Sequence, residues 1–241
     1  MPVDIMLTVI ATAIVQSIFG AGVLLFGTPI LLLLGYEFID ALVILLPISL
    51  VINGMQILKD QSHIDYAFYR KIIRLTLPPI AIFLFLVTHM RINIGIVIGV
   101  FLLLIALKSF LPAAERFIDK LMNYEKTYFV VMGIVHGISN LGGSLLTAAV
   151  HQQNYPKTVA RVTVAASYAT FAVVQLITLF SFSQQQIDVP YYDNIIYVAI
   201  ASLVFEMADD MLFLHIDQRK YQRLFSAFLA VSGLLLIGKS F

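Results

Sequence analysis

The chain has 241 residues, of which 60% are hydrophobic and 12% charged, with a formal net charge of +1 and no cysteine. Soluble domains average about half apolar and about a quarter charged residues, so this composition indicates an integral membrane protein. The near-neutral charge argues against nucleic-acid binding, which needs a basic surface. The lack of cysteine excludes a disulfide scaffold and a thiolate-ligated metal centre, and we predict no cofactor.

Polar breaks divide the chain into eight apolar segments. They cover residues 4–36, 37–58, 72–88, 92–111, 127–153, 158–182, 191–214 and 224–238. A membrane crossing takes about 20 residues, so the chain has room for these segments and short loops but not for a separate soluble domain. The pattern predicts an all-α membrane fold.

The first and fifth segments are too long for one crossing and too short for two with an exposed turn. Gly20-Ala21-Gly22 interrupts the first, and Ser139 to Ser144 interrupts the fifth. Shifting the sequence by 120 residues aligns the two segments: Ile14, Val15, Ile18, Gly22 and Leu25 fall on Ile134, Val135, Ile138, Gly142 and Leu145. The chain therefore reads as two related halves, each of which begins with a broken segment.

Basic residues indicate that both broken segments are re-entrant hairpins, which enter and leave the membrane on one face. That arrangement gathers 13 of the 15 basic residues on one side, leaving only Arg91 and Lys239 on the other. The gathered residues are Lys59, Arg70, Lys71, Arg74, Lys108, Arg116, Lys120, Lys126, Lys157, Arg161, Arg219, Lys220 and Arg223. Full crossings would divide the charges far more evenly, against the positive-inside bias.

Three full crossings after each hairpin make two inverted-topology repeats, a plan that recurs in secondary transporters. We predict a first repeat over residues 1–111, a cytoplasmic connecting loop over 112–126 and a second repeat over 127–241, all in one membrane domain. Both termini are expected outside the cytoplasm, with the protein in the cell membrane. The sequence leaves a homodimer open.

The glycine breaks are the first candidate site. A turn inside the membrane leaves backbone groups unpaired unless protein or water surrounds it. The second arm of each hairpin would begin near Gly22 or Gly142, and its N–H groups and positive dipole end would favour an anion at the bilayer midplane. The alternative is that these glycines are only spacers between close-packed helices.

Polar side chains near the breaks extend this site. His136 occupies the place of Gln16 in the repeat and either contacts the anion, carries a proton or is a neutral histidine bonded to the backbone. His151, beside Gln152 and Gln153, suits an interfacial role. The candidate substrate-binding residues are Gln16, Gly20, Gly22, Asn53, His136, Ser139, Asn140, Gly142, Gly143 and Ser144.

Two polar stripes at helical spacing either hold helices together or line a polar path. They consist of Ser49, Asn53 and Gln56 in the second segment and of Thr163, Ser167 and Thr170 in the sixth.

Arg161 and Glu206 are candidates for gating or coupling. Arg161 would by default extend to the cytoplasmic interface. Glu206, Asp209 and Asp210 lie late in the seventh segment, where they either pair at the interface or couple transport to a cation. A negative-inside potential favours exit of an anion, so export would need no coupling residue.

These motifs resemble the sulfite exporter TauE/SafE family of membrane permeases over essentially the whole chain. In the family's Gly-x-Gly-Gly-Gly stretch with a following proline, Gly20, Gly22 and Pro29 match, whereas Val23 and Leu24 replace glycines. In the second half Gly142 and Gly143 match, with Asn140, Ser144 and Ala149 at the other positions. The tail is similar in its arginine-lysine loop followed by Phe225, Leu229 and Gly233.

The resemblance implies transport of small sulfur-containing anions such as sulfite and organosulfonates. Together with the glycine breaks it favours a permease, not an enzyme, that works by alternating access. No HExxH, GxSxG or Walker-type pattern is present. The alternatives are an intramembrane enzyme, resting only on His136, His151 and the acidic cluster, and a passive channel or assembly subunit.

Overall fold

A computed structural model describes residues 2–20, 22–90, 94–108, 124–182, 191–212 and 230–239. These residues are helical apart from short connections. The α-helices are α1 (Val3–Phe19), α2 (Val23–Leu34), α3 (Phe38–Asp60), α4 (Tyr66–His89), α5 (Ile94–Lys108), α6 (Glu125–Ser139), α7 (Gly143–Gln152), α8 (Lys157–Phe182), α9 (Tyr191–Leu212) and α10 (Ala230–Lys239). Most of the predicted connecting loop 112–126 lies outside the described residues.

The first broken segment folds back on itself. α1 ends at Gly20, which is left-handed (φ 69°) and donates its N–H to the Gln16 carbonyl at 2.8 Å. α2 then packs against both α1 and α3. The Tyr36 hydroxyl, just beyond α2, donates to the Asp4 carboxylate at the start of α1, at 2.9 and 3.0 Å. The two outer ends of the segment therefore meet.

The second broken segment folds back in the same way. α6 ends at Asn140, which is left-handed (φ 61°), and α7 begins three residues later. The Tyr128 hydroxyl near the start of α6 donates to the Leu145 carbonyl in α7 at 2.7 Å. Beyond α7, the Tyr155 hydroxyl bonds to the Asp65 carboxylate, at the end of the bundle where Lys71 of α4 pairs with Glu125 of α6.

Three described helices are long and apolar enough to cross a membrane: the Phe38–His63 stretch that includes α3, then α4 and α8. With the shorter apolar helices around them, they make this a multi-pass membrane protein.

α4 begins six residues before the apolar run that marks it in the sequence. Asp65 caps the helix by accepting the N–H groups of Ala67 and Phe68 at 3.0 and 2.9 Å. The Phe68 N–H and then the Tyr155 hydroxyl hold the pKa of Asp65 below its usual value. Because Asp65 caps its N-terminus, α4 can begin with a charged turn, which the hydropathy pattern assigns to a loop.

Helices from the two halves interlock. α6 packs along α4, α1 packs along α9, and α3 packs along α8. Gly133 and Gly137 of α6 lie directly against the α4 backbone: a Cβ on them would come within 2.6 Å of the Thr76 carbonyl and 2.7 Å of the Ile80 carbonyl. This small-residue spacing, which the sequence analysis overlooked, allows the close approach of α4 and α6.

Gly137→Ala should destabilise the protein by about 1–3 kcal/mol, because its methyl group must push α6 away from α4. Gly54→Ala is the matched control, since nothing lies within 4 Å of a Cβ there and alanine favours a helix by up to about 1 kcal/mol over glycine. Thermal unfolding in detergent measures both. Equal melting temperatures for the two variants would contradict the close α4–α6 contact.

Candidate functional site

The two glycine breaks have matching backbone geometry, 120 residues apart. Gly20 and Asn140 are both left-handed, and each donates its N–H four residues back, to the carbonyl of Gln16 or of His136, at 2.8 Å. The next helices also start alike, with Phe26 donating to Gly22 at 2.9 Å and Leu146 to Gly142 at 3.0 Å.

Gly22 and Gly142 pack against the helix that precedes them. A Cβ on Gly22 would lie 2.7 Å from the Gln16 nitrogen, and one on Gly142 would lie 2.6 Å from the His136 Cβ. Each hairpin therefore needs glycine at this position to fold back closely. Gly20, with its positive φ, additionally faces Arg161 of α8, whose Cγ lies 2.8 Å from the place of a Gly20 Cβ.

Gln16 fills the first break with its own side chain. Its Oε1 accepts the Val23 N–H, the first in α2, at 3.0 Å, and its Nε2 donates to the Gly20 carbonyl at 3.3 Å and to Asn53 Oδ1 at 3.0 Å. Asn53 in turn donates to the carbonyl and hydroxyl of Ser49. The polar stripe of α3 thus helps to hold the first break, and Gln16 caps α2 from inside the protein.

His136, at the equivalent place in the second break, is bonded differently. Its Nε2 donates to Gln175 Oε1 at 3.1 Å, and Gln175 Nε2 donates to Asn140 Oδ1 at 3.3 Å. The imidazole is fully buried, and its Nδ1 has no hydrogen-bond partner among the described residues. His136 therefore bonds to α8 through Gln175, whereas Gln16 bonds to the first N–H of α2, and one ring nitrogen of His136 stays available.

Two serine hydroxyls bond to the backbone of Leu141 in the turn of the second break. Ser139 Oγ accepts the Leu141 N–H at 3.3 Å, and Ser144 Oγ donates to the Leu141 carbonyl at 3.2 Å. Gly143 makes room for Tyr168 of α8, because a Cβ on Gly143 would lie 1.0 Å from the tyrosine hydroxyl. The rings of Tyr168 and Phe171 stand around His136, with centroids 6.1 and 5.1 Å away.

Each break also contacts the opposite half of the chain. Asn140 Nδ2 donates to the Thr28 hydroxyl of α2 at 3.0 Å, while the first break lies against Arg161 of α8. The predicted residues thus form two clusters, Gln16–Gly20–Gly22–Asn53 and His136–Ser139–Asn140 with Gly142, Gly143 and Ser144. Their cross-half partners are Arg161 and Thr28.

Arg161 is buried in an ion-pair network that joins three helices. Its guanidinium donates to Asp209 of α9 at 2.7 Å and to Asp60 of α3 at 3.1 Å, and Lys59 reaches the other Asp209 oxygen at 3.1 Å. The Arg161 side chain is 7% exposed and that of Asp209 is 5% exposed. Arg161 therefore connects this network to the first break, instead of simply extending towards the interface.

Two partners of the predicted residues were missed by the sequence analysis: Gln175 and Thr28. Of the predicted acidic cluster, Glu206 is exposed, whereas Asp209, three residues later, is buried with Arg161. In the second polar stripe, Thr163 Oγ1 accepts the Asp65 N–H at 3.3 Å, and the Thr170 hydroxyl bonds to the Tyr69 hydroxyl at 2.7 Å. Both bonds link α8 to the first part of α4. The side chains of His151 and Asp210 lie outside the part of the chain that the structure describes.

Removing the charge of Arg161 should be costly, because Asp60 would lose its ion pair with Arg161 and the buried Asp209 would keep only the half-exposed Lys59. Arg161→Met should lose about 3–5 kcal/mol of unfolding free energy. The pair Arg161→Met with Asp209→Asn should lose clearly less than the sum of the two single changes.

The control is Glu125→Gln, which breaks the Lys71–Glu125 pair, 48% and 42% exposed, and should cost at most about 1 kcal/mol. Strictly additive losses in thermal unfolding would contradict the coupling of Arg161 to Asp209.

A protein-family model described as sulfite exporter TauE/SafE matches residues 5–236. Comparison with the curated proteins and with the solved structures gave no match. The matched region runs through both glycine breaks and the ion-pair network.

Proposed function

Because the chain belongs to the sulfite exporter TauE/SafE family of membrane transporters, we propose that it is a permease for a small anion, sulfite or an organosulfonate. We further propose that it acts in the cell membrane by alternating access, with a site at the glycine breaks. The observation that carries the site is the buried His136, whose Nδ1 has no hydrogen-bond partner among the described residues and whose Cβ packs against Gly142, just before α7.

Exchanging the two halves leaves the packing of the helices nearly unchanged, which supports an inverted repeat. The contact of α6 with α4 corresponds to that of α1 with α9, and the contact of α8 with α4 corresponds to that of α3 with α9. The outer ends of the first hairpin lie by Asp4 and Tyr36, and those of the second lie by Asp65 and Tyr155. We retain 1–111 and 127–241 as the repeats.

The second break is the better half of the proposed anion site. The start of α7 combines the Gly142 and Gly143 backbone and the Ser144 hydroxyl with the fully buried His136. In the first break the Val23 N–H already has its acceptor in Gln16. We therefore assign the anion mainly to the second break, and a supporting role to Gln16, Gly20, Gly22 and Asn53.

Arg161 is our candidate for the gate, because its stem touches Gly20 while its guanidinium holds Asp60 and Asp209. An anion that approached the first break from this end would compete with the two carboxylates for the guanidinium. Export needs no coupling residue, since one charge is worth about 2.3 kcal/mol per 100 mV of potential. Glu206 would carry a coupling proton only for uptake.

His136→Phe tests the site directly. The phenyl ring keeps the contacts with Phe171 and Tyr168 but removes both ring nitrogens, so sulfite binding and counterflow in proteoliposomes should be lost while the protein stays folded. In the unmodified protein, sulfite at 100 times its dissociation constant should stabilise the fold by about 2.7 kcal/mol.

Ser62→Ala, in an exposed connection, is the control and should transport normally. Unimpaired sulfite counterflow in His136→Phe would overturn the site. Flux without counterflow would indicate a channel, and a chemically altered solute would indicate an enzyme.

A homodimer remains part of the proposal. The mass of the detergent-solubilised protein would check it.

Thiol labelling tests the proposed orientation on the cysteine-free chain. Leu34→Cys and Tyr192→Cys, at the end of the bundle that holds Asp4, should react with an impermeant reagent from outside intact cells. Ser62→Cys and Asn154→Cys, at the opposite end, should react only after permeabilisation. The reverse pattern would place the termini in the cytoplasm, and labelling of all four from outside would reject the two-hairpin topology.

A further inference from the structure

A cleft of about 550 Å³ opens between α3 and α9, at the end of the bundle that carries the Arg161 network. Its polar lining consists of Gln56, Lys59, Glu206 and Asp209, and its apolar lining consists of Met55, Leu58 and Phe205. The cleft borders the proposed gate through Asp209, but no residue assigned to the anion site lines it.

Gln56 is the feature that points to a ligand. The side chain is 1% exposed, and neither its Nε2 nor its Oε1 has a hydrogen-bond partner among the described residues. Leaving a buried amide unsatisfied costs about 1–3 kcal/mol. A molecule in the cleft that both accepts and donates hydrogen bonds would remove this cost.

The charges of the cleft favour a ligand that carries both signs. Asp209 is already paired with Arg161 and Lys59, whereas Glu206 makes no ion pair with the described residues. An ammonium group would compensate Glu206. A phosphate would take donors from Lys59, which is half exposed, and from Gln56 Nε2.

The surroundings of the cleft indicate where such a ligand would come from. Leu58, Leu203 and Met207 are 76%, 66% and 74% exposed. In a membrane protein such apolar side chains face acyl chains, while Lys59 and Glu206 lie in the last turns of their helices, at headgroup level. The ligand would therefore enter from the lipid, with its polar part in the cleft.

We propose that this cleft binds the headgroup of an aminophospholipid, phosphatidylethanolamine in chemical class, with its ammonium on Glu206 and its phosphate between Lys59 and Gln56. The proposal depends on the membrane setting and not on the transported solute. A bound headgroup would bridge α3 and α9 beside Asp209. Phosphatidylcholine lacks the N–H donors, and phosphatidylglycerol lacks the positive charge.

Native mass spectrometry of the delipidated protein, titrated with each of the three lipids, tests this proposal. Phosphatidylethanolamine should bind about fivefold more tightly than either of the others, as expected for one partly exposed ion pair. Glu206→Gln should abolish that preference. Asp193→Asn, which changes an acid at the other end of α9, should retain it.

Gln56→Leu separates a ligand role from a structural one. An apolar replacement for an unsatisfied amide should leave the melting temperature in lipid-free detergent unchanged or higher, yet it should weaken binding of phosphatidylethanolamine about fivefold. Equal binding of the three lipids, or an undiminished preference in Glu206→Gln, would overturn the proposal. So would a Gln56→Leu protein that binds phosphatidylethanolamine normally.

Discussion

The structure depends on one constraint, which is that a helix broken inside a membrane must satisfy its backbone with protein groups. Both breaks meet it by the same turn, with a left-handed residue whose N–H returns to the helix and a glycine packed against the residue six positions earlier. Side chains also bond to backbone groups of the two breaks. Gln16 caps α2 in the first break, whereas in the second break His136 bonds to Gln175, which in turn fixes Asn140. One constraint thus yields two halves with the same backbone and different chemistry.

The two breaks therefore differ in their side chains although their backbone turns match. Glutamine is long enough to reach both the first N–H of α2 and Asn53 of α3, and this closes the first break. Histidine bonds through one nitrogen to Gln175, and its other nitrogen has no hydrogen-bond partner in the part of the chain that the structure describes. The ion-pair network adds a second asymmetry, since it ties Arg161 of the second half to Gly20 of the first. Two breaks with matching backbone turns therefore carry different side-chain networks.

The membrane character, the family and the position of both breaks could be predicted from the sequence, because each leaves a local or periodic signal. The partners of the breaks could not be predicted. Gln175 and Thr28 are single polar residues in apolar helices, and only the packing of α2, α6 and α8 brings them to Asn140. For a related reason, the sequence does not distinguish the exposed Glu206 from the buried Asp209. In a helix that is apolar all round, hydropathy does not reveal which face is buried.

The close contact between α6 and α4 has a mechanical consequence. Gly133 and Gly137 bring α6 against the α4 backbone, although α6 belongs to the second half of the chain and α4 to the first. α1 is joined to α9 across the halves in the same sense. The first helix of each hairpin therefore packs along a long helix of the other half of the chain. A displacement of either hairpin would also displace that helix.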